Sequence, residues 1–317
     1  MKTISGDSGA DATTDASIGR GLQVAAGRFI GLALLALAST AAQAGERRAG
    51  GKLLLTDGVT SVEGAAGGGL ATWALIAGNE TDAGIGGTAH VTVVALPDFD
   101  LESYGAALGL FDRVELSYAH QSFDTRAAGA ALGLGRGYTF AQHILGAKVR
   151  LIGDAVWDQD TLLPQIALGV QHKIADGGWL GRPLLKALGA RETKGTDLYV
   201  AATKVLLARS LVVDGTVRFT KANQLGLLGF GGDRQAKRTA QFEGSAGMLL
   251  TRRLLVGGEY RTKPDNLAFA QEDDSYDLFA AWAFGRNVSL TAAYADLGDI
   301  ATIKRQRGAF LSLQGAF

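Results

Sequence analysis

The sequence predicts an all-β protein: an antiparallel transmembrane β-barrel of about 14 strands, with 12 as the alternative, preceded by a signal peptide. Three observations carry this. Segments of period two recur from one end of the chain to the other. Their apolar faces carry aromatic residues near the strand ends: Tyr118, Phe219, Tyr260, Tyr276, Trp282, Phe284 and Tyr294. The connections alternate between tight turns and long loops, as membrane barrels require.

The first element is the leader. Residues 29–38 form an apolar run with Arg28 before it, and small residues follow up to Ala42-Gln43-Ala44. That pattern is a secretory signal peptide cut after Ala44, so residues 1–44 are removed and 45–317 form the barrel domain. The run is too short to cross a bilayer as a helix, which takes about 20 residues. The stretch before it is long and its acids offset its bases, which points to translation starting downstream of Met1.

The strands follow at 52–60, 69–78, 85–94, 103–111, 114–123, 138–152, 163–173, 196–206, 211–221, 241–250, 254–263, 275–284, 288–296 and 308–317. In 211–221, Leu211, Val213, Gly215, Val217 and Phe219 share one face, and Val212, Asp214, Thr216, Arg218 and Thr220 the other. The last strand sets Ala309, Leu311, Leu313 and Phe317 on an apolar face that ends in an aromatic. Such an ending resembles the C-terminal signal that outer-membrane β-barrels present to their insertion machinery, which makes that machinery and outer-membrane lipid the expected partners. Tight turns fall after residues 111, 207, 250 and 284, and long loops at 124–137, 174–195, 222–240 and 264–274. If the tight turns are periplasmic, an upward strand must precede 69–78; residues 52–60 supply it, the count becomes 14, and Phe317 ends in the periplasm. The four prolines, Pro97, Pro164, Pro183 and Pro264, lie at or beyond strand ends, where a missing N–H breaks no ladder.

Composition narrows function. There is no cysteine in 317 residues, hence no disulfide framework and no thiol chemistry. The net charge is zero, which argues against nucleic-acid binding. The histidines lack ligand spacing, so neither a metal nor a cofactor is expected.

The polar strand faces point into the lumen. They carry Lys148, Arg150, Lys173, Lys204, Arg218, Arg261 and Lys263 against Glu115, Asp214, Glu243 and Glu259. An excess of cations in a pore favours anionic solutes; the plainer reading is that these groups pair and hold the barrel together. The loop 222–233 is apolar for a mouth loop, with Leu225, Leu227, Leu228 and Phe230 among glycines that let it fold inward. It is either a constriction or a packed lid. The Gly-rich stretches 63–69 and 129–137 lack the Gly-Lys-Ser/Thr ending of a phosphate loop.

His120 and Ser122 share the outer face of their strand. The spacing is similar to the His-x-Ser of outer-membrane lipid acyl hydrolases, in which a His activates a Ser. The sequence departs from it: Phe123 stands where those enzymes carry Asn, and no orienting acid is identifiable. A polar pair in the interfacial girdle is the simpler account.

Several stretches resemble a bacterial family, the domain of unknown function 3034 proteins. They include Gly51-Lys-Leu-Leu-Leu-Thr-Asp-Gly58, Glu63-Gly-Ala-Ala-Gly-Gly-Gly69, His120-Gln-Ser-Phe-Asp124, Ala131-Leu-Gly-Leu-Gly-Arg-Gly137, Thr220-Lys-Ala-Asn223, Leu228-Gly-Phe-Gly-Gly-Asp233 and Tyr260-Arg-Thr-Lys-Pro-Asp-Asn266. The resemblance implies an exported outer-membrane barrel in a Gram-negative bacterium and brings no activity with it. The expected function is a channel or transporter for small solutes. A hydrolase using Ser122 and His120, or a structural barrel with a plugged lumen, are the alternatives.

Overall fold

The computed structural model describes residues 52–317 other than 57, 82 and 83; the predicted signal peptide lies outside them. Twelve strands form a closed antiparallel barrel. They are β3 (Ile85–Ala95), β4 (Asp100–Leu110), β5 (Val114–Asp124), β6 (Thr139–Ile152), β7 (Gln165–Asp176) and β8 (Lys194–Leu206), followed by β9 (Leu211–Thr220), β10 (Thr239–Thr251), β11 (Leu254–Arg261), β12 (Ser275–Ala283), β13 (Val288–Asp296) and β14 (Arg307–Ala316). Each pairs with its successor, and β14 closes on β3 with Gln314 opposite His90. No sheet edge is left open, which disposes of the unpaired backbone groups of a free edge.

Burial is inverted relative to a soluble fold. Outward positions of the wall are apolar and exposed, among them Leu116, Leu145, Leu168, Val200, Leu278 and Leu311. All seven aromatics singled out in the sequence are exposed as well, from Tyr118 at 38 % to Phe284 at 58 %. A patch of this extent around the whole barrel is far beyond what a soluble monomer tolerates. The aromatics gather at two levels. Phe219, Phe242, Tyr260 and Tyr276 lie towards one rim, and Trp282, Phe284 and Phe111 towards the other.

The two rims differ. Tight connections at 111–113, 207–210, 252–253 and 284–287 share the rim where Phe317 pairs with Gly87. One long connection, 153–164, also lies at that rim; the other longer ones, 125–138, 177–193, 221–238, 262–274 and 297–306, gather at the opposite rim, the mouth.

The expected strands at 52–60 and 69–78 are not part of the wall, so the count is 12 and not 14. The chain from Gly58 to Ala77 instead runs inside the barrel and is buried along its whole length. A wall strand exposes every second residue; here both parities are buried. Within this inserted segment, β1 (Val59–Thr60) and β2 (Ala66–Gly67) form a two-residue ladder. Its small residues are what lets it fit. A Cβ at Gly68 would overlap the Glu259 carboxylate, and one at Gly64 (φ +90°) would lie 2.9 Å from Ala119 Cβ.

The interior has three layers. At the turn rim, Leu55 and, from the inserted segment, Val59, Trp73 and Leu75 pack on Val205, Val212, Leu255 and Phe279 of the wall. Charged and amide side chains fill the middle. At the mouth, Phe99, Phe123, Phe140, Leu227, Phe230 and Phe310 form a second apolar cluster.

Candidate functional site

The middle layer is where the inserted segment meets the wall, and Glu63 is its centre. It is the one charged residue between Gly58 and Asn79, and it is fully buried. Lys173 on β7 contacts it directly, Arg261 on β11 lies at 3.0 Å and Arg218 on β9 at 3.6 Å. Asp197 on β8 and Glu243 on β10 complete the cluster. Asp197 sits 2.8 Å from Lys173, while Glu243 contacts Arg218 and lies 3.5 Å from Arg261. Three cations thus face three carboxylates, which is how buried charges are tolerated. The Arg218 guanidinium also lies over the Tyr199 ring, 4.9 Å from its centroid.

Most of the remaining anchors hold the backbone of the segment, beside side-chain bonds such as Trp73 Nε1 to Ser245 and Arg218 to Thr72 Oγ1. Glu243 accepts from Thr72 N at 2.8 Å, Glu259 from Leu70 N at 2.6 Å, and Glu115 from Ala77 N at 2.9 Å. Lys148, 3.2 Å from Glu115, donates to the carbonyls of Leu75 (2.6 Å) and Trp73 (3.0 Å). Arg261 donates to Leu70 O, Gln165 to Ala74 O, and Gln121 and Ser103 to Val62 O. Beyond the two-residue β1–β2 ladder and a few turn bonds, the buried N–H and C=O groups of the inserted segment need partners from the wall. The charged side chains supply them.

Most of the residues expected in the lumen are on the inner face: Glu115, Lys148, Arg150, Lys173, Asp214, Arg218, Glu243, Glu259 and Arg261. Arg150 stands at the turn rim, 2.7 Å from Asp112. Asp214 accepts from Thr203 at 2.5 Å. Two residues differ. Lys204 has the parity of the outer face, opposite Val213, because its neighbour Thr203 points inward to Ala74 N. It is buried under the loop 153–164, where it donates to Leu163 O at 3.0 Å. Lys263 lies past the end of β11, in the mouth, 3.5 Å from Glu272 and donating to Leu297 O. The cationic excess expected of the lumen is also absent. With Glu63, Asp197 and Asp277 also on the inside, the seven inner acids named here outnumber the five inner bases.

The loop 222–233 folds into the mouth. Leu227, Leu228 and Phe230 are buried and Leu225 half-buried. Two hydrogen bonds join Phe230 and Glu192 backbones, and Asn223 Nδ2 donates to Gly231 O. The Leu225 carbonyl accepts from Lys173 Nζ at 3.2 Å, so the loop rests directly on the cluster that holds Glu63.

His120 and Ser122 are on the outer face near the mouth. His120 Nδ1 lies 3.4 Å from His143 Nδ1, and Tyr118 Oη lies 3.0 Å from the same His143 nitrogen. The residues in register with His120 are Tyr104 and His143. Neither is a carboxylate, so no acid stands in register with the imidazole to orient it as the third group of a triad would. Among the described residues no cluster of His, Asp and Glu is arranged to hold a metal.

No curated protein matches the chain. Solved barrels match it in shape at low identity. They include the NanC porin (7 % identity, 73 % of this chain and 98 % of that one, TM-score 0.47). The outer-membrane phospholipase A from Escherichia coli matches with 10 % identity, 72 % and 88 % coverage and a TM-score of 0.38. The COG4313 outer-membrane channel from Pseudomonas putida F1 matches with 14 % identity, 73 % and 94 % coverage and a TM-score of 0.41. Likenesses of this degree carry no functional argument. In sequence, residues 56–314 match the family described as Protein of unknown function (DUF3034), a span that takes in both the inserted segment and the barrel, and the chain belongs to that family.

Proposed function

We propose that the protein is an outer-membrane barrel that admits a small solute when the inserted segment is displaced, and is closed at rest. The apolar outer wall with its two aromatic levels supports the membrane location. The sequence of residues 29–44 supports export, and the tight turns together with Phe317 support a periplasmic turn rim. In this reading β14 and its terminal Phe317 also serve as the signal to the insertion machinery.

The observation that carries the transport reading is the way the segment is held. A 12-stranded barrel is wide enough to need filling, lying between filled eight-stranded barrels and open porins of 16–18 strands. Its middle is filled by one continuous piece of chain. That piece is tied to the wall there by ion pairs and by hydrogen bonds to backbone groups, such as Lys148 to Leu75 O and Glu243 to Thr72 N. Water can replace such partners as the segment leaves, because folding and release both exchange one hydrogen bond for another.

Planar-bilayer recording tests this. The chain lacking residues 52–78 is expected to conduct, while the intact chain stays closed apart from rare openings. A deleted form that shifts on heating in a gel, as folded barrels do, and yet passes no current would refute the transport reading and leave a structural barrel.

A further inference from the structure

We propose that the mouth holds a binding site for one small, uncharged, apolar molecule, about the size of a monoaromatic ring or a short alkyl chain. A cavity of about 140 Å³ lies there, above the charged layer. Its walls come from the inner faces of the barrel (Leu101, Phe123, Phe140) and from all six connections at that rim. Phe99, Leu132, Leu188, Leu228, Phe269 and Ile300 represent one connection each. Converging side chains from six separate segments on one void is not the signature of a single badly packed residue.

The chemistry of the lining selects the ligand. Only Thr125 and Gln224 bring polar side chains. The Thr125 hydroxyl already donates to Tyr138 O at 2.7 Å, and the Gln224 amide to Asp299 O at 3.2 Å. Each therefore already spends a donor within the protein, and these two side chains at one side of an otherwise apolar lining offer little to a polar guest. A water molecule needs two to four polar partners, so the cavity favours an apolar occupant; a void of about 150 Å³ lined by Leu, Ile and Phe stays dry and takes benzene.

The backbone gives a second, independent indication. Gln224 (φ 44°), Leu225 (φ 61°) and Ala301 (φ 54°) all line the cavity in the left-handed region, which costs any residue with a Cβ. Three of the nine non-glycine residues held in that region among the described residues line this one cavity. The leucines of loop 222–233, which the sequence marks as unusually apolar for a mouth loop, are thereby accounted for as lining.

The site rests on the transport reading only for what happens after binding; occupancy itself is separable. The test is a titration of fluorobenzene, followed by fluorine NMR, onto the mature chain in a fixed amount of detergent. The intact protein is expected to give a saturable bound signal. Leu132→Trp, which fills the cavity from a half-exposed position, is expected to weaken it at least tenfold, and Leu168→Trp on the outer wall to leave it unchanged. If Leu132→Trp does not fold, Leu188→Trp fills the same void. A signal that rises linearly with detergent, or one equal in all the variants, overturns the site. Saturable binding to a barrel that never conducts leaves the site standing and removes only the transport path. Conductance by the chain lacking 52–78, with no saturable binding to the intact chain, does the reverse.

Discussion

Replacing Glu63 with Gln tests the central contact with almost no change of shape. The substitution removes one charge from a cluster of three cations and three carboxylates, leaving Lys173, Arg218 and Arg261 against Asp197 and Glu243. At the 3.0 and 3.6 Å separations of Arg261 and Arg218, two unit charges attract by about 5 kcal/mol each at an effective dielectric of about 20, before desolvation is subtracted. Removing one partner of a buried pair costs about 3–5 kcal/mol net. Only the inserted state makes these contacts, so the whole cost falls on it. At 1.4 kcal/mol per decade the released fraction rises by about two to three and a half orders of magnitude. The chain has no cysteine, so Val62→Cys provides a single thiol on a residue that is 1 % exposed. Its labelling by a charged maleimide reports release. The double variant, Val62→Cys with Glu63→Gln, is expected to label about a hundredfold faster or more than Val62→Cys alone. Equal rates in two folded barrels would show that the Glu63 contacts do not hold the segment in place.

Three further outcomes follow from the same geometry. Val200→Arg puts a cation at the centre of β8 on the exposed wall, and is expected to cost about 2–4 kcal/mol of folding free energy in lipid vesicles; a neutral effect would argue against a bilayer around that level. Glu272, in the mouth beyond the strands, is raised to about 7 by burial, with Lys263 opposing. A raised carboxyl binds its proton more tightly in the folded state, so its contribution weakens as pH climbs from about 4.5 to about 7. Hydrogen exchange in 262–274 is expected to quicken over that interval in the native chain and to stay flat in Glu272→Gln; a rise retained in the variant would assign the effect elsewhere. Phospholipid hydrolysis by the purified barrel is expected to be nil, and any turnover abolished by Ser122→Ala would reinstate the hydrolase.

The wall was legible from the sequence because period two is a strong signal when both sides of a sheet are chemically distinct. Strands such as 211–221 and 308–317, with their facing, follow from alternation alone. Residues 52–60 and 69–78 misled for a physical reason. They also carry short apolar runs, but they are buried on every side, and alternation cannot tell a strand between lipid and lumen from a segment wholly inside. Two cues were available. Glycines crowd residues 63–69, where close packing on all sides demands them, and Glu63 is a lone acid in an otherwise uncharged stretch. Lys204 shows the limit of parity. Its seven-residue spacing from Asp197 puts the two on opposite faces, and the register of Thr203 with Asp214 fixes Asp197 as the inward one. The cavity at the mouth was not legible at all, since it is assembled from six segments that only the closed barrel brings together.

The two interior sites are joined by one side chain. Lys173 Nζ contacts Glu63 of the inserted segment, lies 2.8 Å from Asp197, and donates to the carbonyl of Leu225, which lines the cavity. Leu225 is held in a left-handed conformation, so its carbonyl direction depends on the strained backbone of loop 222–233. A molecule that enters the cavity and lets that backbone relax would turn the carbonyl away and leave the ammonium with one acceptor fewer. Its remaining partners are carboxylates, one on the wall and one on the inserted segment. A ligand can shift the closed barrel towards the open one only by its difference in affinity for the two states. Lys173 is the place where such a difference would be felt by both sites. Lys173→Met removes the ammonium that the two sites share and leaves the apolar lining intact. Binding of fluorobenzene and release of the segment, expected to be linked in the native chain, should then vary independently, and linkage that persists in Lys173→Met would refute this route.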